Sequence, residues 1–529
     1  MIARRNTLGL GAISKWLSDA SLTKKAYLNA IAATLDYGAR LVVGLVINPF
    51  MVAGLGDYLY GVLQILGRLV LYMSAASGRP TQALKWTIAH QQASVDYEAK
   101  RRNVGSALVI WLLFMPILAA LGAVLVWIAP SWLNTPAELV WIVRLAAAIM
   151  AVDLILTSLA DLPQSVLQGE NLGYKRMGVS TLIVFVAGGG FTALALYFKT
   201  GLIGVVAADL GYTLLAGAFF LHIVRRVVPW FGIARPSRSE VRTFFGLSGW
   251  FLIWRLLNQL MMASDVVVLG KLGSVEAVTT YTLTKYTPET LVSLVAVVVF
   301  GIAPGLGGVI GSGNLQKAAR IRGEIMLGTW LIATVIGSTT LLLNRSFVQL
   351  WVGSQHYAGG LPSLLIMLMA TQLVLIRNDS NVIDLTLELR QKVLIGAVSV
   401  ALSLACAGVL LSVFDLGIAG LCLGFIAGRA ILSLAYPWLV GRSLKISLAG
   451  QLKSALRPAL VMVLFFVLAQ IAGDAWTVDT WLGLVLVAGV TVVIIAFLSF
   501  FGGLSGQQRG RVRERMRMAL RPAAPGGAD

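Results

Sequence analysis

Ionisable side chains interrupt apolar stretches of this sequence, and they are the residues through which it can do chemistry. The basic ones are Arg40, Arg68, Arg144, Arg255, Lys285, Arg377 and Arg429; the acidic ones are Asp36, Asp153, Asp161, Asp209, Asp265 and Glu289, with Asp379 and Asp384 in the segment IRNDSNVID. A charge in a hydrocarbon setting is costly, so such a group pairs with another, lines a cavity or binds a ligand or ion. Asp36 and Arg40, like Lys285 and Glu289, are spaced i,i+4, so each pair can neutralise itself on one helix face. Arg68 and Arg255 have no acidic residue three or four positions away. Their partner must come from another helix or from a bound anion, and a guanidinium holds phosphate oxygens through paired hydrogen bonds at any ordinary pH. Asp36, Asp265, Glu289, Arg377 and Asp379 are candidates for ion coupling or for the polar lining of a cavity; Asp153, Asp161 and Asp209 carry the same two readings. Arg144 stands near a helix end, from which it can snorkel to the interface.

Signatures of other chemistries are missing. The sequence has no GxxxxGK[ST] phosphate loop, so it does not hydrolyse nucleotide through one. The run GLGGVIGSG at 305–313 follows Pro304 without a preceding strand and reads as a loop. His90, His222 and His356 are scattered, with no HExxH or Cys/His spacing, so neither a metal site nor a catalytic set is expected. Cys406 and Cys422 lie in apolar segments, where cysteine behaves as a small hydrophobe.

The elements that position these charges are transmembrane helices. Hydrophobic residues make up 58% and charged residues 12% of 529 positions, about half the charge of an ordinary soluble domain. Apolar runs long enough to cross a bilayer fall near 27–50, 57–78, 104–129, 139–163, 178–198, 202–223, 244–270, 276–304, 324–344, 361–386, 393–414, 418–440, 457–473 and 480–501. The fold class is therefore all-α integral membrane, with about fourteen transmembrane helices. The net charge of +19 reports topology and not nucleic acid, because Lys and Arg in short loops set orientation. Alternate connections, both termini included, hold 32 of the 42 basic residues, and the opposite ones hold Lys199, Lys271 and Arg345. Both termini are expected inside. The first 25 residues lack a continuous apolar core and do not form a cleavable signal peptide.

An internal repeat organises the helices. LVVGLVINPFMVAGLGDYLYGVLQILGR turns on Leu-Gly at Gly56, and WRLLNQLMMASDVVVLGKLGSVEAVTTYTLTK turns on Leu-Gly at Gly273; Arg68 and Lys285 each lie twelve residues after the turn. Two similarly oriented six-helix lobes about a central cavity follow from such parallel repeats. The expected organisation is a basic N-terminal segment (1–26), a first lobe (27–223), a basic linker (224–243), a second lobe (244–440), two further helices (441–501) and a basic tail (502–529), with a short amphipathic helix around 509–520. Pro49, Pro288, Pro304 and Pro362, with 55 glycines, imply bendable helices of the kind tolerated where they line a cavity.

INPFMVAGLGDYLYGV, SDVVVLGKLGSVEAVTTYTL and FVQLWVGSQHYAGGLPSLLIML resemble the polysaccharide-flippase (Wzx-type) branch of the multidrug/oligosaccharidyl-lipid/polysaccharide (MOP) exporter superfamily. The resemblance implies a V-shaped, two-lobe, MATE-like transporter of the bacterial inner membrane. It implies movement of an undecaprenyl-pyrophosphate-linked repeat unit for O-antigen, capsule or exopolysaccharide synthesis, with that lipid-linked oligosaccharide, membrane lipids and polysaccharide assembly proteins as partners. Arg40, Arg68, Arg255 and Lys285 fit, by helix and depth, the cationic positions that engage pyrophosphate or acidic sugars in such flippases. No cofactor is expected, and coupling to a proton or sodium gradient is the candidate energy source. A multidrug exporter of the same superfamily, a membrane glycan polymerase or ligase, and an assembly scaffold are the competing readings. The basic character of the paired helices weighs against the first, and the short outer connections against the second.

Overall fold

The computed structural model describes residues 22–78, 80–92, 94–176, 178–246, 249–311, 313–386 and 389–510. The expected basic segment up to residue 21 and the tail beyond Gly510, with most of its amphipathic helix, lie outside the described residues. All regular structure among the described residues is helical. Eleven helical stretches are long and apolar enough to cross a membrane. The first of them, Leu35–Ser77, holds both arms of the first hairpin. With it counted twice, and with the helices Gly249–Leu272 and Val275–Gly311 added, the described chain has the roughly fourteen spans expected of a multi-pass membrane protein. The fold divides into two compact units near Gln259.

The first unit contains α1 (Leu22–Met73), α2 (Pro80–His90), α3 (Tyr97–Trp132), α4 (Val140–Ala160), α5 (Leu162–Gly169), α6 (Val179–Tyr197), α7 (Gly201–Val227) and α8 (Arg238–Gly246). α1 is two helices meeting at Gly56, whose φ of 74° and ψ of 168° are open essentially to glycine alone. α4 packs against α3 and α7. α3 begins a full turn and more before residue 104, because the Asp96 carboxylate accepts the Ala99 N–H at 2.9 Å and satisfies one of the donors a helix start leaves open. Within α6, residues Val184–Phe191 (VFVAGGGF) form a π-helical segment, a widening the sequence signals only through its three consecutive glycines.

The stretch 79–102, expected as a basic loop, is in large part ordered. α2 buries Leu84 and Ile88 against Val104, Val166, Val224 and Trp230. Gly169 lets α5 approach, since a Cβ there would meet the Ile88 Cβ at 2.8 Å. Lys100, 2% exposed, pairs with Glu170 at 2.8 Å, and the Trp230 indole N–H donates to the same oxygen at 3.0 Å. Part of the loop charge is thus a built structural feature, because burial of an apolar face carried the lysine in with it.

The second unit contains the later part of α9 (Gly249–Leu272), then α10 (Val275–Gly311), α11 (Leu315–Val352), α12 (Gly360–Thr386), α13 (Leu389–Ser412), α14 (Gly417–Leu444), α15 (Leu448–Ala475) and α16 (Trp481–Leu498). α11 and α15 start earlier than their apolar runs, capped by Asn314 and Ser447. α13 and α14 touch closely along Gly420, Gly424 and Gly428, a small-residue stripe of the G-x-x-x-G kind. A Cβ on Gly424 would meet the Ala407 backbone at 2.4 Å, and one on Gly428 the Ser403 backbone at 2.3 Å.

Candidate functional site

In the first unit, Asp36 and Arg40 do not neutralise each other as their spacing allowed. Arg176, from the turn before α6, ion-pairs with Asp36 at 3.0 Å, while Ser180 and Thr181 donate to the Asp36 Oδ1 atom at 2.8 and 3.4 Å. Asp36 is thereby committed to α6. Arg40 turns to α7, where its Nη2 donates to the Tyr212 hydroxyl at 2.7 Å and its guanidinium lies 5.6 Å from the ring centroid. Arg40 remains exposed, with Asp161 within electrostatic reach of both Arg40 and Arg176. Sixteen residues before Gly56 is about 24 Å along a helix, a length shorter than the ~30 Å of a hydrocarbon core. Arg68, twelve residues after the turn, is about 18 Å along it and is half-buried. The side chain of Arg255 lies outside the described residues.

A second acidic group sits on α4 and α7. Thr213 and Asp209 on α7 are both within electrostatic reach of Asp153 on α4. One Asp153 oxygen is buried without a partner. Arg144, on α4, stacks 5.2 Å from the Trp127 ring centroid.

In the second unit the structure brings Lys285, Asp265 and Glu289 together. The Lys285 ammonium pairs with Asp265 at 2.5 Å and with Glu289 at 3.0 Å, and the Tyr281 hydroxyl donates to Asp265 at 2.6 Å. Asp265, Lys285 and Tyr281 are buried, and Glu289 is partly exposed. In this conformation the lysine's charge is spent on two carboxylates. Arg429, also buried, donates to the Met261 carbonyl and lies 5.1 Å from the Phe425 ring centroid.

The polar run on α12 packs largely against its neighbours. Arg322 makes a bidentate pair with Asp379, Nε to Oδ1 at 2.9 Å and Nη2 to Oδ2 at 2.8 Å; Asn378 donates to Thr329 at 2.6 Å, and Asp384 pairs with Lys392 at 2.6 Å. Arg377 is half-buried. Arg176 and Arg322 fall in the connections between apolar runs, and no spacing marks Tyr212, Ser180 or Tyr281. For Arg322 a signal was available, since the Asn314 cap extends α11 past it. For Tyr212 there was none, because its partner is 172 residues away.

Comparison with known proteins agrees with this architecture. Residues 98–304 match the family model described as polysaccharide biosynthesis protein, and no curated protein sequence matches the chain. Among solved structures, an inward-facing multidrug resistance MATE family transporter of the MOP superfamily aligns with 77% of this chain and 95% of its own, at a TM-score of 0.63 and 14% identity. An outward-facing form aligns with 80% and 96%, at 0.55 and 15%. A MOP superfamily transporter from Pyrococcus furiosus, described as having a binding pocket of reversed polarity, aligns with 80% and 97%, at 0.54 and 15%. The chain has the fold of MOP superfamily transporters, and over residues 98–304 its sequence matches the polysaccharide biosynthesis family.

Proposed function

We propose that the protein moves an undecaprenyl-pyrophosphate-linked oligosaccharide from the cytoplasmic to the outer leaflet of a bacterial inner membrane by alternating access, for O-antigen, capsule or exopolysaccharide synthesis. The observation that carries this reading is the exposed Arg40, whose guanidinium is held by a phenol while the nearby Asp36 is taken by Arg176. Such a group keeps its charge and its paired donors for a phosphate. The polysaccharide biosynthesis match supports a glycan-linked cargo. Arg68 and Arg255 extend the proposed cationic set, whereas Lys285 joins it only in a conformation that releases one of its carboxylates. Both termini lie on the cytoplasmic side in this reading, and polysaccharide assembly proteins are its partners.

The test is reconstitution in vesicles carrying a fluorescent undecaprenyl-pyrophosphate oligosaccharide on one leaflet. Translocation by the intact protein, cut about tenfold to a hundredfold by Arg40→Ala or Arg68→Ala, is the expected result, the range given by a lost charge-assisted hydrogen bond. Arg40→Lys should retain more activity than Arg40→Ala. Unchanged transport in the Arg40→Ala/Arg68→Ala double variant would remove the cationic site from the proposal.

A second reading, cation-coupled export, is favoured by Asp153 and Asp209, two carboxylates in mutual reach beside Thr213. Uptake driven by an imposed proton or sodium gradient and lost in Asp153→Asn would assign them to coupling. Export of a cationic dye with no movement of the glycolipid would assign the whole protein to drug transport.

A further inference from the structure

Within the second unit, α11, α12, α14 and α15 enclose a cavity of about 440 Å³, in the size range of small-molecule sites. Its wall is mainly apolar, with Met326, Trp330, Leu368 and Ile376 among the lining side chains. Three other lining side chains, Thr371, Gln372 and Gln451, have a buried oxygen that reaches no hydrogen-bond partner. Thr371 is the clearest case at 2% exposure. Thr329, Thr334 and Thr339 on α11 each turn the hydroxyl back to the carbonyl four residues earlier, whereas the Thr371 hydroxyl makes no such bond. The two glutamines are anchored by their nitrogens, Gln372 to the Ile426 carbonyl at 3.0 Å and to Ser433 at 3.3 Å, Gln451 to the Pro437 carbonyl at 3.0 Å. Their oxygens are left as acceptors.

Unpaired oxygens are expensive where hydrocarbon replaces water. Three of them around one cavity call for an occupant that donates hydrogen bonds. Its charge is constrained as well. The ions at the cavity wall, Arg322 and Asp379, are engaged with each other through two bonds, so no free counter-ion is offered to a charged head. The cavity wall includes Leu452 and Val463 of α15, which are 44% and 43% exposed, so the cavity opens on the exposed apolar face of that helix. Along α12 the lining runs from Leu368 to Asp379, about 16 Å of helix, room for an extended chain.

We propose that this cavity is a binding site for an uncharged lipid alcohol drawn from the bilayer. Its hydroxyl engages Thr371 and the Gln372 oxygen after a small side-chain rotation, and its hydrocarbon chain lies along Met326 and Leu368. The site is independent of the transport reading above and is read out by binding alone.

The experiment places the full chain in phosphatidylcholine nanodiscs with a long-chain fatty alcohol carrying a mid-chain diazirine. After illumination, labelled peptides are identified by mass spectrometry. The matched fatty acid and alkyl trimethylammonium probes run in parallel. Labelling of α11, α12 or α15 by the alcohol, several-fold above both charged probes, is expected. Gly323→Leu places a bulky side chain on the cavity wall, where a Cβ meets nothing within 4 Å; it should lower labelling about tenfold or more. Thr371→Val removes a hydroxyl that no protein group uses, so thermal stability should hold while labelling falls about fivefold, the loss of one hydrogen bond. The proposal is overturned by equal labelling from a charged probe, by alcohol labelling indifferent to Gly323→Leu, or by no labelling at all, which would leave only water in the cavity.

Discussion

At the residue scale, the informative charges are those whose partners come from another helix. Spacing paired Asp36 with Arg40, yet Asp36 binds Arg176 and two hydroxyls while Arg40 binds Tyr212. A carboxylate takes the partners that saturate it most fully, and three donors, Arg176 from the turn before α6 with Ser180 and Thr181 from its start, outcompete one guanidinium a turn away. The Lys285–Glu289 pair does form, but Asp265 is the closer partner. Because Asp265 is buried with both Lys285 and Tyr281 donating to it, while Lys285 keeps Glu289 as a second partner, Asp265→Ala should destabilise the protein by about 3 kcal/mol, the low end for removing one partner of a buried pair. The double variant Asp265→Asn/Lys285→Met should recover most of that loss. Thermal unfolding in detergent followed by tryptophan fluorescence checks both, and a double variant no better than Asp265→Ala would show that the pair serves packing and not charge balance.

At the element scale, helix contacts rest on small residues and on caps. Gly424 and Gly428 bring α14 against the α13 backbone, and Ser399 donates to the Gly428 carbonyl at 3.0 Å. Gly428→Val should therefore force the two helices apart at a cost of about 1–3 kcal/mol or more, seen as a lowered melting temperature, while Gly489→Ala, where a Cβ meets nothing within 4 Å, should be silent. α8 is started by a reciprocal cap: the Ser237 N–H donates to Glu240 Oε2 at 2.7 Å and the Glu240 N–H donates to Ser237 Oγ at 3.2 Å, the capping-box arrangement. Arg102 Nε adds a 2.9 Å bond to the same carboxylate. The Ser237 N–H first, and Arg102 next, hold the Glu240 carboxyl below its ordinary value. A depressed pKa contributes stability that is full above the unfolded value and lost as pH falls through the folded one. Protection of the α8 amides from hydrogen exchange should thus be constant near neutrality and fall only in acid, below the ordinary carboxylate range. Glu240→Gln should remove that pH dependence; an acid transition that persists in the variant would place its origin elsewhere.

At the scale of the whole molecule, the distribution of Lys and Arg is a statement about orientation. Single cysteines introduced at Ser237 and at Asp479, in a background without Cys406 and Cys422, should react with an impermeant maleimide from opposite sides of the membrane, Asp479 from the periplasmic side. Labelling of both from one side would break the parse, which places seven spans, an odd number, between them. The transport and binding tests above then ask what the oriented protein carries and what it holds.

The sequence by itself determined the membrane class, the run of spans and the turn at Gly56, because each follows from local chemistry: apolar length, loop charge and a Leu-Gly break between two apolar arms, where the structure has the φ of 74° that favours glycine. It also singled out Arg40, Arg68 and Lys285 as costly charges in apolar surroundings. Only the tertiary structure decided which charges are spent and which stay exposed. Asp379 meets Arg322 across 57 residues and Asp36 meets Ser180 across 144, and no spacing rule reaches that far. The ordered α2 and the early starts of α3 and α11 do not show in hydropathy, since caps and burial against distant helices set where those helices begin. The cavity lined by Thr371 exists only where four helices converge, which is why its unpaired oxygens leave no trace in the order of residues.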